Sequence, residues 1–141
     1  MLPIEAVLAQ ELKPLGFRKK SRTWWRESQD TIQILNLQKS AYADQLYVNL
    51  RIYIKCLGTE AQAPLNYWHV DARLERIAPV SSWNDIVALT ASAAPDDRVV
   101  RAIVDEGIAW LDRLSTLDGI KGYISMGGAR LGLVSAAAKS I

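Results

Sequence analysis

The sequence predicts a single α+β domain over residues 1–141: an N-terminal helix, a four-stranded antiparallel meander, and two or three C-terminal helices packed on one face of the sheet. Three observations lead to this fold. Residues 46–55 alternate between aliphatic and polar side chains, which is typical of a strand buried on one face. Two segments of strand-like composition precede it, separated by short polar turns. The second half of the chain instead repeats its aliphatic residues with a helical period.

The composition is that of an ordinary globular protein. Hydrophobic residues make up 50% of the chain and charged residues 23%, and the net charge of +2 is too small to imply a polyanionic partner by itself. The charge is unevenly distributed, because residues 16–27 hold five cations and one acid whereas residues 96–118 hold six acids and three arginines. We therefore expect a basic strand and an acidic helix.

Cysteine usage and hydropathy point to a cytoplasmic protein. Cys56 is the only cysteine, which excludes an intrachain disulfide and a Cys-rich metal site. Because it closes an apolar strand, we expect a buried, inert thiol. The N-terminal residues lack the basic and apolar regions of a signal peptide, and no segment approaches the roughly 20 apolar residues that span a bilayer. We expect no membrane segment.

The first elements are a helix and a basic strand. Residues 4–13 place their aliphatic side chains on one helical face, with Pro3 suited to the first turn and Gly16 beyond the end. Residues 17–27 follow as a strand rich in cations and aromatic residues. Of the Trp24–Trp25 pair, one side chain should face the core and the other the surface, because successive strand residues point to opposite faces.

The next two strands form the centre of the predicted sheet. Residues 31–40 carry aliphatic side chains on both parities, so that either both faces are covered or a bulge is present. In residues 46–55 the two parities separate cleanly, and a slip of one residue would expose every aliphatic side chain. The inward set is Leu46, Val48, Leu50, Ile52 and Ile54, and the outward set is Tyr47, Asn49, Arg51, Tyr53 and Lys55.

The second half of the chain contributes one more strand and the covering helices. Ser82 is a suitable N-cap residue for the first of these helices, and Gly119 is a plausible residue just beyond the end of the longest one. After a loop at residues 58–66 we expect a strand at 68–77 and helices at 82–93 and 98–117. The small residues of 129–140 are compatible with a third helix, so that two or three helices are expected in all.

Four short motifs in the first half of the chain are similar to those of one protein family. They occupy residues 12–20, 23–26, 36–40 and 47–50 and include a Gly-Phe-Arg-Lys-Lys opening, a Leu-Gln-Lys-Ser strand and a Tyr-Val-Asn strand. Their order and spacing resemble the bacterial domain-of-unknown-function 4304 family, and residues 69–74 are similar to its weaker downstream pattern. Ser21 stands where the family pattern has a glycine. The resemblance implies an α+β domain and brings no established activity and no catalytic residues.

The polar face of the predicted sheet is the main candidate site. Arginines there offer planar donors, amides offer hydrogen bonds, and tyrosines offer aromatic surface for a ligand or a partner. The alternative is a solvated face held by cross-strand pairs such as Arg51 with Asp71, since antiparallel sheets commonly leave one face wet. The residues that the meander gathers are Gln38, Tyr47, Asn49, Arg51, Tyr53, His69, Asp71 and Arg73.

The basic strand 18–26 offers a second possibility, which is nucleic-acid binding. Cations track phosphates and tryptophans stack on bases. The alternative is an edge strand whose charges prevent edge-to-edge pairing. No RRM, KH or helix-turn-helix signature accompanies this segment. The candidate contact residues are Arg18, Lys19, Lys20, Arg22 and Arg26.

A third possibility is a small enzyme that uses His69 and Asp71. These residues are two apart on a predicted strand, so they share a face, and an aspartate can orient an imidazole for base catalysis. The chain has a single histidine and no serine in a nucleophile-elbow context. The segment also supplies too few ligands for a metal. We therefore expect no metal and no cofactor.

The interpretation that these observations favour is a non-enzymatic cytoplasmic binding domain. Its polar sheet face would contact a protein partner, in a toxin-neutralising or regulatory setting, with Arg51, Tyr53, His69 and Arg73 central. Nucleic-acid binding is the alternative, and catalysis at His69 and Asp71 ranks third.

Overall fold

A six-stranded antiparallel sheet lies at the centre of the computed structural model, which describes residues 1–59 and 64–141. The strands are neighbours in space in the same order as in the sequence. They are β1 (Arg18–Lys20), β2 (Thr23–Glu27), β3 (Thr31–Lys39), β4 (Leu46–Ile54), β5 (Val70–Arg73) and β6 (Gly132–Val134). The α+β class and the antiparallel sheet are confirmed, whereas the expected number of four strands is wrong. Residues 60–63 of the expected 58–66 loop lie outside the described residues.

The first additional strand arises because the basic segment is a hairpin rather than one strand. β1 and β2 pair with Lys20 opposite Thr23, which leaves Ser21 and Arg22 in the turn. Ser21 has a φ of 53°, in the left-handed region, where a side chain costs about 1–2 kcal/mol. The glycine of the family pattern at this position would adopt that conformation without the cost.

The second additional strand lies in the tail, where a third C-terminal helix over residues 129–140 was one of the alternatives. Gly132–Val134 pairs with β5 instead, and only Ala136–Lys139 is helical. A Cβ atom at Gly132 would collide with the backbone carbonyl of Asp71, so the absence of a side chain permits the close approach. In this tail the glycine therefore permits strand pairing, while the alanines that follow form the short helix.

The helices occupy the N-terminus and the second half of the chain. They are α1 (Pro3–Leu12), α2 (Leu74–Ile77), α3 (Trp83–Val87), α4 (Asp97–Arg101), α5 (Ile108–Arg113), α6 (Leu117–Ser125) and α7 (Ala136–Lys139). A π-helical segment, Ala102–Gly107, joins α4 to α5. Short 3₁₀ turns lie at Lys13–Leu15, Lys55–Leu57, Val80–Ser82 and Gly128–Arg130. Among the described residues no helix has the length and apolar character needed to cross a membrane.

Several predicted boundaries in this half are wrong for identifiable reasons. The expected 98–117 helix ends at Arg113, because Thr116 starts α6 by accepting a hydrogen bond from the Gly119 N–H at 3.0 Å. Gly119 thus lies inside a helix. The expected 82–93 helix is only α3, and Ser82 makes no capping bond.

Where the expected 82–93 helix and 68–77 strand end early, a side-chain cap and a helical turn take their place. The Asp44 carboxylate accepts hydrogen bonds from the N–H groups of Ala91 and Ser92, which a longer α3 would have used internally. The expected 68–77 strand is regular only over β5, and its last residues form the single turn α2.

The core lies between the inner face of the sheet and the helices. All five inward residues predicted for residues 46–54 are buried, which confirms the alternation. They pack in one cluster with Ile4, Leu8 and Leu12 of α1 and with Leu111 of α5. Trp24 joins this cluster at 1% exposure, while its neighbour Trp25 is half-buried on the other face, as expected for the pair.

Candidate functional site

The candidate site is the outer face of the sheet, which is the face opposite the core. Residues paired directly across antiparallel strands share a face, so the strand register identifies its members. One row runs across five strands, and a second row beside it runs across all six. The first consists of Lys20, Thr23, Asn36, Asn49 and Arg73, and the second of Arg18, Trp25, Ile34, Arg51, Asp71 and Leu133.

Amide side chains in the first row form a hydrogen-bonded network. Asn49 Nδ2 donates to Asn36 Oδ1 and to Gln38 Oε1, each at 3.1 Å, and Asn36 Nδ2 donates to Thr23 Oγ1 at 3.0 Å. Asn49 is only 3% exposed. A buried amide must be hydrogen-bonded to avoid a desolvation penalty, so Asn49 holds the face together rather than offering itself to a ligand. Gln38, at the end of the network, is exposed.

Arg51 occupies the centre of the second row. Its guanidinium carbon lies 3.7 Å from the centroid of the Trp68 ring, and its Nε donates to Asp71 Oδ2 at 3.4 Å. Burial lowers the pKa of Arg51 most strongly, the carboxylate of Asp71 opposes that shift, and the positive charge of Arg73 adds to it. An arginine nevertheless remains charged. The side chain is thus a partly desolvated cation that faces a second cation.

Arg73 has a parallel arrangement on the neighbouring strand. Its guanidinium carbon lies 3.9 Å from the centroid of the Tyr47 ring, and its Cα is in register with that of Asn49. Stacking on an aromatic ring restricts an arginine and leaves the edges of its guanidinium available for hydrogen bonds. The face therefore presents two oriented guanidinium groups.

Besides Asn49, two further predicted site residues, Tyr53 and His69, are buried rather than presented on the surface. Tyr53 is 7% exposed and His69 is 2% exposed. The two rings are neighbours, with centroids 5.1 Å apart, and the Tyr53 hydroxyl lies against Gly58. The edge of the Tyr67 ring also faces His69, with centroids 5.3 Å apart, so both buried rings are covered by neighbouring residues.

His69 also has the wrong environment for a general base. Its Nδ1 accepts a hydrogen bond from the Ile54 N–H at 2.9 Å, so the ring satisfies a backbone donor at the end of β4. Burial lowers the pKa of His69, and a backbone hydrogen bond at Leu57 only partly opposes this. Asp71 pairs with Arg51 and not with the imidazole in the contacts of the described residues. The expected His69–Asp71 pair is therefore not formed, since each of its members has a separate partner.

The five cations of the basic segment do not form one surface. Lys19 Nζ lies 3.0 Å from Glu5 Oε1, and Arg26 bonds to Gln33 Oε1 at 2.9 Å and to the Asp112 carboxylate. These two cations therefore have structural partners on the inner side. Arg18 and Lys20 alternate with them and lie on the outer face, where both are exposed. The turn residue Arg22 is half-buried.

A hollow at the rim of the outer face was not predicted. It has a volume of about 360 Å³ and is lined by Asn66, Tyr67, Trp68, Leu133 and Ser135. Leu133 is 51% exposed and Tyr67 is 37% exposed, although both are large apolar side chains. Two aromatic residues, Tyr67 and Trp68, directly precede β5 in the sequence, and this pair could have indicated stacking with the arginines of the sheet. Leu133 had no such signal, because β6 itself was not predicted.

The described residues contain no group of three or more histidine, cysteine, aspartate or glutamate side chains placed to hold a metal.

Cys56, expected to be buried, is an exposed free thiol, because the strand ends at Ile54 and the cysteine falls in the following 3₁₀ turn.

Comparison with known proteins places the chain in a family. The profile of the family described as "Domain of unknown function (DUF4304)" matches residues 8–112, which is more than half of the chain. The protein therefore belongs to this family, and the matched region contains the first five strands of the sheet. A search of curated proteins and a search of solved structures each found no match.

Proposed function

We propose that this protein is a non-enzymatic binding domain whose outer sheet face contacts a protein partner. The observation that carries the proposal is the pair of stacked arginines, Arg51 on Trp68 and Arg73 on Tyr47, of which Arg51 also pairs with Asp71. Arginine, tryptophan and tyrosine are the residues that most often dominate the binding energy of protein interfaces. Here they occur together on the side of the sheet that faces away from the core.

The size and shape of the face favour a macromolecule over a small ligand. Six strands at a spacing of about 4.8 Å give a width of roughly 24 Å, which suits an interface of about 800 Å² on each partner. The hollows of about 360 Å³ and about 460 Å³ nearest to it lie at its margins, around Trp68 and around Trp25. The polar network through Asn49 keeps the backbone of the face in one conformation, so little ordering is required on binding.

The setting that we propose is the cytoplasm of a bacterium, with a regulatory or toxin-neutralising role. The exposed thiol of Cys56 supports a reducing compartment, because exposed free thiols are readily oxidised elsewhere. The bacterial setting rests on the family resemblance alone.

The test is partner capture from native lysate with a charge-removal variant, Arg51→Gln with Arg73→Gln. Glutamine keeps part of the aliphatic stem, so the substitution removes charge with little loss of packing. The matched control is Arg98→Gln with Arg101→Gln, which removes the same charge from the exposed side of α4. We expect wild type and control to capture the same protein and the sheet variant to lose it.

A nuclease-treated arm separates the nucleic-acid alternative from this proposal. Capture that survives nuclease and requires Arg51 and Arg73 supports a protein partner. Capture that nuclease abolishes, and that requires Arg18 and Lys20, contradicts it. Retention of the same partner by the sheet variant contradicts it equally.

A further inference from the structure

Among the strand residues that the structure describes, the charges on the outer face are not balanced. Arg18, Lys20, Arg51 and Arg73 lie on this face in the strand register, and Glu27 and Asp71 are its acids. Glu27 is already bound to Lys55, with Oε1 and Nζ 2.6 Å apart. Asp71 contacts Arg51 through a single long hydrogen bond. The middle of the face therefore attracts further negative charge, and the nearby Arg73 strengthens the attraction.

An apolar recess adjoins this positive region. Trp68 belongs to both features, because its ring stacks with the Arg51 guanidinium and also lines the rim hollow together with Tyr67 and Leu133. Leu133 is in register with Asp71, and Asp71 is in register with Arg51. Leu133 and Arg51 are thus two strand spacings apart, which is about 10 Å between their backbones.

That separation corresponds to a definite spacing in a bound chain. An extended peptide rises about 3.3 Å per residue, so about three residues span the distance from Arg51 to the hollow. A carboxylate placed over the arginines can accept charge-assisted hydrogen bonds from their planar donors. A large apolar side chain three residues away would lose water in the hollow.

We propose that the partner presents an acidic peptide segment, with a carboxylate that contacts Arg51 and Arg73 and a large apolar side chain, about three residues away, that enters the hollow lined by Tyr67, Trp68 and Leu133. This proposal rests on the proposed function and specifies the chemistry of the partner. The charge imbalance argues for the acidic residue, and the exposed Leu133 and Tyr67 argue for the apolar one. The direction of the bound segment, from the sheet centre toward β6, follows from the same register.

The experiment is selection from a random linear peptide library on the full-length protein. We expect enriched sequences that pair Asp or Glu with Trp, Phe or Leu at a separation of about three residues. A synthetic peptide with that sequence should lose affinity at least about tenfold on Arg51→Gln with Arg73→Gln, because charge-assisted bonds are lost. It should also weaken on Leu133→Gln, and it should bind normally to the matched control Val87→Gln, since both positions are about half exposed.

Three results would overturn the inference: no enrichment, enriched peptides without acidic residues, or equal affinity for wild type and both sheet variants. A single-stranded oligonucleotide that competes with the peptide and binds without it would overturn it as well. Because Leu133→Gln changes an exposed residue, it tests the hollow even if the arginine variant is unstable. If lysate capture requires the arginines while the selected peptides lack acids, the proposed function stands and only this inference fails.

Discussion

The guanidinium carbon of Arg51 lies 3.7 Å above the ring of Trp68, and in the strand register Arg51 pairs with Ile34. Ile34 is completely buried although it lies on the outer face, and it does not belong to the core cluster. Its other register partner is Trp25, which is half-buried. Because register partners are neighbours on one face, the long side chains of Trp25 and Arg51 flank Ile34, and we infer that Arg51 contributes to stability as well as to the charge of the face.

The contribution of Arg51 to stability predicts that two substitutions differ in how far they lower the free energy of unfolding. Arg51→Ala removes the aliphatic stem over Ile34 and should lower the free energy of unfolding by about 1 kcal/mol. Arg51→Gln keeps part of the stem and should cost less. Urea unfolding at neutral pH measures both values. Equal stability of wild type and Arg51→Ala would mean that Ile34 is covered by other residues.

A second prediction concerns the core. Leu50 is fully buried in the centre of β4 between neighbours on β3 and β5. Leu50→Ala should lower the free energy of unfolding by about 2–5 kcal/mol, because it leaves a cavity that the sheet cannot close. The control is Tyr42→Ala in the turn after β3, where the side chain is 100% exposed, and it should stay within about 0.5 kcal/mol of wild type. Similar losses for the two variants would contradict the register of the sheet.

His69 predicts a pH dependence of stability. It is the only histidine, and burial lowers its pKa in the folded state below the ordinary value of 6.5. As the pH falls below about 6.5, the histidine of the unfolded chain becomes protonated while that of the folded chain remains neutral. The free energy of unfolding therefore decreases with falling pH, by up to about 1.4 kcal/mol per pH unit. Above that pH both states are neutral and the contribution vanishes.

The measurement is chemical unfolding of wild type and His69→Asn between about pH 7 and pH 5, above the range in which most carboxylates titrate. Asparagine can still accept the hydrogen bond from the Ile54 N–H, so the variant should fold. The decline should be present in wild type and much smaller in the variant. An equal decline in both would show that another group causes it.

The turn between β1 and β2 supplies a backbone prediction. Ser21 has a positive φ of 53°, so Ser21→Gly should be neutral or stabilise the protein by up to about 1 kcal/mol, after the entropy of glycine is counted. Ser21→Val should destabilise it, because a β-branched side chain strongly disfavours that conformation. Thermal unfolding of the three proteins gives the order, and a valine variant as stable as the glycine variant would contradict the turn geometry.

The sequence predicted those parts of the fold that depend on local pattern. The alternation around Leu50 identified the central strand and its two faces correctly, because burial of one face imposes a period of two. It did not reveal that Asn49 and His69 are buried, since alternation separates two faces without saying what covers each of them. β6 was missed because its pairing depends on a distant close approach between Gly132 and the Asp71 backbone.

The same distinction holds for the candidate site. Eight residues were expected on one polar face, and the register of β3, β4 and β5 puts seven of them on the same side of the sheet: Gln38, Tyr47, Asn49, Arg51, Tyr53, Asp71 and Arg73. The stacking of Arg51 on Trp68 was not predicted from the sequence. Trp68 lies outside the regular strand, so no periodic pattern placed it over Arg51. Contacts from irregular segments follow from tertiary packing rather than from local sequence.

The central claim is that the outer face of the sheet contacts a protein partner. Site-specific photo-crosslinking in native cells tests it most directly, with a benzophenone amino acid replacing Tyr47 or Tyr67 on that side and Trp83 on α3 as the matched aromatic control. Tyr67 and Trp83 have similar exposure, 37% and 44%, so chance collisions should label both equally. We predict a discrete adduct with one protein from Tyr47 and Tyr67 and none from Trp83. No adduct from the two tyrosine positions, or the same adducts from Trp83, would contradict the claim.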